Sequence, residues 1–187
     1  MKKTILLFVL VMFLSSCAIQ GLTNDYKKLT PEQQNSIVAL NSFDSATDLD
    51  IIYKVNGFQL RKELKKYPKV LVYVLTNGCI SEYCKPLYIY ENYAKENNYK
   101  LFLVMDGYGN LSESTKEVLN VPLFSIDNEY YDKKMRGTCT RYFENDMLGR
   151  DLKYKEKSYL GNLFFFENGE LVSISRELPE QQQSFIK

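Results

Sequence analysis

Lys69-Val70-Leu71-Val72-Tyr73-Val74-Leu75-Thr76-Asn77-Gly78-Cys79-Ile80-Ser81-Glu82-Tyr83-Cys84-Lys85-Pro86 is the stretch on which the fold turns. Val70 to Leu75 is continuously apolar and rich in Val, the pattern of a strand covered on both faces in a parallel sheet. Asn77-Gly78 breaks the run. Beyond Pro86, the residues Leu87, Tyr90 and Ala94 recur at helical spacing, while Lys85, Asn92, Lys95 and Glu96 fill the other side. The unit is strand, turn, helix, with two cysteines in the turn.

Proline has no N–H to donate, so Pro86 fits the first turn of a helix, where backbone N–H groups lack partners anyway. That spacing predicts an N-cap at Tyr83, Cys84 or Lys85 and sets Cys84 in or beside the first turn. Cys79 then lies on the loop that ends the strand. The partial positive charge of a helix N-terminus stabilises a thiolate, the reactive form of cysteine. Lys85 acts in the same direction and Glu82 against it. Cys79 and Cys84 are the candidate catalytic residues, as a redox pair. Five positions apart across one loop, they are also expected to be disulfide-bonded to each other, leaving Cys139 reduced.

Outward from this unit, Leu101-Phe102-Leu103-Val104-Met105 is a second fully apolar strand, ended by Asp106-Gly107-Tyr108-Gly109-Asn110. A helix is predicted over Ser112 to Leu119, then a short strand within Val121 to Ile126, with Pro122 at its start or on an edge. Two strands joined through a helix are most simply a right-handed βαβ unit. Leu163 to Phe166 and Leu171 to Ile174 flank Glu167-Asn168-Gly169-Glu170, the signature of a hairpin. On the N-terminal side, Ile51 to Val55 reads as a strand and Phe58 to Tyr67 as a helix with Leu60 and Leu64 inward. The expected sheet core is Val70, Val72, Val74, Leu101, Leu103, Leu163 and Phe165.

Two segments read as peripheral. From Ala18 to about Asp48 the chain is polar and resembles a tether. It carries one short helix, signalled by Thr30 as N-cap, Pro31 at the first helical position and Gln33 closing a capping box. Asp127 to Gly161 is a charged insertion with Lys133, Lys134, Arg136, Arg141 and Arg150 balanced by acids. It is too long for a structureless loop, so a helix over Tyr130 to Met147 is expected, with Cys139 as a packed thiol.

Met1-Lys2-Lys3 followed by the apolar run Ile5 to Leu14 has the form of a secretory leader, too short to span a membrane as a helix. Its end, Leu14-Ser15-Ser16-Cys17, resembles the bacterial lipoprotein signal. That resemblance implies cleavage before Cys17, lipidation of Cys17, and a membrane-anchored protein facing the periplasm or cell exterior. The expected organisation is a signal peptide over 1–16, a tether over 17–48 and one domain over 49–187, with 127–161 inserted in it. A single domain suits the 187 residues.

The 24 Lys and Arg nearly cancel the 23 Asp and Glu, so no nucleic-acid footprint is expected. The absence of His removes a His general base, a Cys–His dyad and His-ligated zinc. If Cys17 is lipidated, three of the four cysteines remain, in a compartment where disulfides persist.

Core strand, cysteine loop and helix, with a Lys and a Pro after the second cysteine, resemble the active-site region of the thioredoxin-like family. The hairpin around Asn168-Gly169 resembles the antiparallel end of that family's sheet. The resemblance covers about Ile51 to Glu177. In element order it is nearest the membrane-tethered thiol–disulfide oxidoreductase and peroxiredoxin-like branch. It implies an α/β fold with a central mixed sheet flanked by helices, ending in an antiparallel hairpin. The chain departs from the family in three places. Four residues rather than two separate Cys79 from Cys84, no Trp precedes Cys79, and alignment on the hairpin glycine puts Gly161 where the family has a cis-proline facing the cysteines.

Three functions follow. The first is a lipid-anchored thiol–disulfide oxidoreductase acting on envelope protein thiols or disulfides, with Cys79 attacking and Cys84 resolving, and needing no cofactor or metal. The second is a non-catalytic envelope binding lipoprotein in which a Cys79–Cys84 disulfide is a staple. The third is a thiol peroxidase, since Thr76-Asn77-Gly78-Cys79 matches the Thr-x-x-Cys half of the peroxiredoxin motif. Val72 stands where that motif has its proline.

Overall fold

A computed structural model describes residues 21–77, 79 and 84–179. The leader and Cys17 lie outside these residues, as do Gly78 and Glu82. Among the described residues seven strands form one sheet: β1 (Ile37–Ala39), β2 (Ile52–Val55), β3 (Lys69–Leu75), β4 (Lys100–Met105), β5 (Leu123–Ile126), β6 (Leu163–Glu167) and β7 (Glu170–Ser175). Their spatial order is β1-β2-β5-β4-β3-β6-β7. The first five run parallel; β6 is antiparallel to β3, and β7 to β6. The protein is therefore α/β with a mixed sheet, and all five parallel strands end on one edge.

Helices cover both faces: α1 (Pro31–Asn35), α2 (Gly57–Leu64), α3 (Leu87–Glu96), α4 (Leu111–Ser114), α5 (Asn128–Tyr131) and α6 (Arg136–Met147). Side chains of a strand alternate between faces, and β3 supplies both cores. Val70, Val72 and Val74 pack with Leu60 and Leu64 of α2 and Phe143 and Met147 of α6. Leu71, Tyr73 and Leu75 pack with Leu87, Tyr90 and Ala94 of α3. An apolar run without alternation is what burial on both faces requires. All seven residues expected in the core are buried.

Local signals act as their chemistry dictates. Thr30 and Gln33 close a capping box at the start of α1, and Asn56 and Gln59 close another on α2. Asn168 and Gly169 both take positive φ, 51° and 81°, as the tight turn between β6 and β7 demands. The helix expected over Ser112 to Leu119 is shorter, ending at Ser114.

Both segments read as peripheral contribute to the packed body. Of the tether expected over 17–48, the described part includes β1, which adds the outermost parallel strand, and Leu40 and Ala46 are buried. The Asn24 carbonyl accepts from the Tyr108 N–H (2.8 Å) and the Leu22 carbonyl from the Arg136 N–H (2.9 Å). The domain thus begins before residue 49. Polar composition concealed this because β1 has only three residues.

The 127–161 segment divides: 151–160 is exposed throughout, whereas the part before it packs on the sheet. Tyr131, Cys139, Phe143 and Met147 are buried against the sheet. Its Asp146 accepts from the Phe58 N–H (3.0 Å) and its Tyr131 hydroxyl from the Gly57 N–H (2.7 Å), satisfying the open N-terminus of α2. Gly57 is required there, because a Cβ would run into the Phe143 carbonyl of α6.

Candidate active site

Leu75 ends β3 at the carboxyl edge of the sheet, where the chain must turn between the two covered faces. Thr76 and Asn77 make that turn. The buried Asn77 side chain donates to the Gly107 carbonyl (2.7 Å) and accepts from the Ser114 hydroxyl (2.7 Å). Three elements are joined at this amide: the cysteine loop, the loop after β4, and α4. Thr76 donates to Asp106 Oδ2 (2.8 Å), a second tie between the same loops.

Cys79 and Cys84 are disulfide-bonded, with their Cα atoms 5.9 Å apart, inside the range such bonds occupy. Cys79 is exposed and Cys84 half-buried. Both line a cleft of about 250 Å³ together with Tyr73, Thr76, Lys85 and Glu117. Tyr73 forms part of its floor, stacked on Tyr90 of α3 with ring centroids 4.1 Å apart. Burial pushes the Tyr73 phenol well above its ordinary value, and a hydrogen bond with Tyr90 adds to this. Tyr73 is therefore neutral.

The helix after the cysteines starts later than its sequence suggests. Pro86 is the N-cap, at φ −52° and ψ 146°, and Leu87 is the first helical residue. Cys84 lies two residues before the cap rather than in the first turn. The extended ψ of Pro86 turns the preceding chain away from the helix axis. No cap side chain serves this helix from its own sequence. A carboxylate from another element does: Glu117 Oε2 accepts from the N–H groups of Leu87 (2.7 Å) and Tyr88 (3.4 Å). Glu91 of α3 in turn accepts from the Asn120 N–H (2.8 Å), so the segment bearing Glu117 is clasped to the helix at two points.

Behind Thr76 lie acidic groups that come from separate parts of the chain. Asp106 follows β4, with Arg136 Nη1 3.7 Å from its Oδ1. Burial raises its carboxyl above the ordinary carboxylate range, against the pull of Arg136 and Thr76. Glu144 of α6 is pushed up to about 7, by burial first and then by the negative charge of Asp106, with Arg150 opposing. It lines a cavity of about 90 Å³ with Arg150, Tyr159 and Gly161. Gly161 has φ +146°, and a Cβ there would strike the Ser175 carbonyl.

Cys139 is separate from the pair. It is buried in α6, its thiol meets the Lys133 carbonyl (3.1 Å), and desolvation raises its pKa. Among the described residues, no group of three or more His, Cys, Asp or Glu side chains is placed to hold a metal ion. None of the helices described is long and apolar enough to cross a membrane.

Sequence reasoning singled out Cys79 and Cys84 but missed Asn77, Asp106, Glu117 and Glu144. One signal was available for Asp106: it directly follows a parallel strand, and sites in open α/β sheets gather at the carboxyl ends of strands. No protein-family model, curated protein or solved structure matches the chain.

Proposed function

We propose that this chain is a thioredoxin-like protein, lipid-anchored in a bacterial envelope, that carries out thiol–disulfide exchange through Cys79 and Cys84. The observation that carries this reading is the position of the pair. An exposed Cys79 and a half-buried Cys84 share a disulfide in a cleft at the carboxyl end of β3, the parallel strand that feeds both cores. A staple needs no access; a reacting disulfide does. The parallel β3–α3–β4 unit and the antiparallel β6–β7 hairpin beside it support the thioredoxin-like assignment.

The chemistry uses the two sulfurs alone. In the oxidised form, a partner thiolate attacks Cys79 and expels Cys84 as a thiolate, which takes up a proton. The partner's second thiolate then attacks its own sulfur in the mixed disulfide and expels Cys79. Two electrons pass to the pair, and the two protons lost by the partner's thiols end on Cys79 and Cys84. The reverse sequence reduces a partner disulfide, with Cys79 attacking and Cys84 resolving.

The second reading, a binding lipoprotein with a structural disulfide, has one observation in its favour. Glu117 occupies the helix N-terminus that would otherwise stabilise a thiolate. One pair of variants separates the two readings. Cys84→Ser should trap mixed disulfides through Cys79 with envelope proteins on non-reducing gels, and Cys79→Ser far fewer. A reduction potential between roughly −270 and −120 mV supports exchange, whereas a value below about −300 mV marks a structural bond. No trapped partner, together with background activity in insulin reduction, would remove the redox role.

A further inference from the structure

The N-terminus of α3 is a site for negative charge, because its first N–H groups point out of the helix unpaired and its dipole is positive there. Cys84, three residues before Leu87 and lining the same cleft, becomes an anion when the disulfide is reduced. Yet the Leu87 and Tyr88 N–H groups already hold a carboxylate, Glu117 Oε2, at 2.7 and 3.4 Å. Glu117 comes from 30 residues downstream and is held in place by the Glu91–Asn120 clasp. It lines the same cleft as both cysteines.

From this geometry we infer that Glu117 is a positioning residue for the redox pair, withholding from the Cys84 sulfur the N–H groups that would stabilise its thiolate. The inference rests on the exchange reading above and specifies how that site is regulated. While Glu117 is in place, a Cys84 thiolate meets a like charge and lacks the helix donors, so the pair is biased toward the disulfide. The other charged or titratable groups facing the cleft are fewer in their effect. Lys85 precedes the helix and favours a thiolate, and Glu113 is bridged to Lys116 (2.8 Å). Tyr73 is neutral, and Asp106 stands behind Thr76 with Arg136.

The test is Glu117→Gln in the full chain, which keeps a hydrogen-bond acceptor and removes the charge. Reduced protein is pulsed with iodoacetamide across a pH series, and alkylation of Cys79, Cys84 and Cys139 is followed separately by peptide mass spectrometry. The half-point for Cys84 should fall by about one pH unit, roughly a tenfold rise in thiolate at neutral pH, with a smaller change at Cys79. Glu117→Ala, which also frees the Leu87 and Tyr88 N–H groups, should lower the Cys84 half-point further; a half-point unchanged or raised in both variants overturns the inference. Slow alkylation of Cys139 reports that the variant is folded. The unmutated protein gives an independent check, since coupling between sites is reciprocal. The ¹³C shift of the Glu117 carboxyl should step with thiol titration in reduced protein and stay flat in oxidised protein; no step when reduced overturns the inference. The outcomes are separable from those for function: trapped partners with an unmoved Cys84 profile would retain exchange and reject the role of Glu117.

Discussion

Replacing Asn77 with Ala should destabilise the protein by about 2–4 kcal/mol. The side chain is buried and makes two short hydrogen bonds, to the Gly107 carbonyl and from the Ser114 hydroxyl. Each such bond contributes a net ~0.5–1.5 kcal/mol, and a buried partner left unsatisfied costs a further ~1–3. Two bonds therefore set a floor of about 1–3 kcal/mol. The stranded Gly107 carbonyl adds to it, while the Ser114 hydroxyl can rotate toward another acceptor. For a chain of this length the loss lowers the melting temperature by roughly 5–15 °C. Thermal and urea unfolding of the disulfide-intact protein measure it. Ser114→Ala should cost about 1 kcal/mol alone, and the double variant less than the sum, by a coupling of about 0.5–1.5. Since Asn77 anchors the turn that carries Cys79, dithiothreitol should also reduce the disulfide faster in Asn77→Ala. A stability change within about 0.5 kcal/mol of zero, the usual range for uncoupled surface substitutions, would refute the anchoring argument.

Leu103 is fully buried between β3 and β5, so Leu103→Ala should cost ~2–5 kcal/mol in urea unfolding; no measurable change would mean the central strands are misassigned. Glu144 is raised from 4.5 to about 7. The folded protein therefore holds a proton that the unfolded chain releases, and stability falls as pH rises from about 4.5 to 7. Glu144→Gln, which mimics the protonated side chain, should flatten that fall in melting experiments across the window; an unaltered slope counts against a proton-holding Glu144. Cys17→Ala should release the protein from the membrane fraction without detergent, and equal retention would exclude a lipid anchor at that residue.

The sheet was legible because its information is local. Val70 to Leu75 and Leu101 to Met105 are apolar without alternation, which only burial on both faces explains. Asn168-Gly169 supplies the positive φ angles a two-residue turn needs. What escaped was structure whose stability is borrowed. β1 has three residues and persists through pairing with β2, with the Leu40 N–H extending the ladder to the Lys54 carbonyl at 3.1 Å. α6 falls within the helix expected over Tyr130 to Met147, but its packing against the sheet was not foreseen: it carries four charged residues among its twelve, Arg136, Arg141, Glu144 and Asp146. Its buried Cys139, Phe143 and Met147 recur at intervals of four, a stripe too narrow to outweigh that charge in a composition reading.

The site divides along the same line. Two cysteines flanking a strand-to-helix turn are visible in sequence because their spacing is short, and the chain closes them into the expected bond. Their electrostatic surroundings are not, because those come from residues distant in the chain. Glu117 lies 30 positions from the Leu87 it caps, and Asp106 lies 30 from Thr76. The consequence reverses a sequence-level inference: a helix N-terminus beside a cysteine favours the thiolate only while the N–H groups are free. Here they are taken by the Glu117 carboxylate. A helix dipole read from sequence is thus an offer of stabilisation, and tertiary structure decides which anion accepts it.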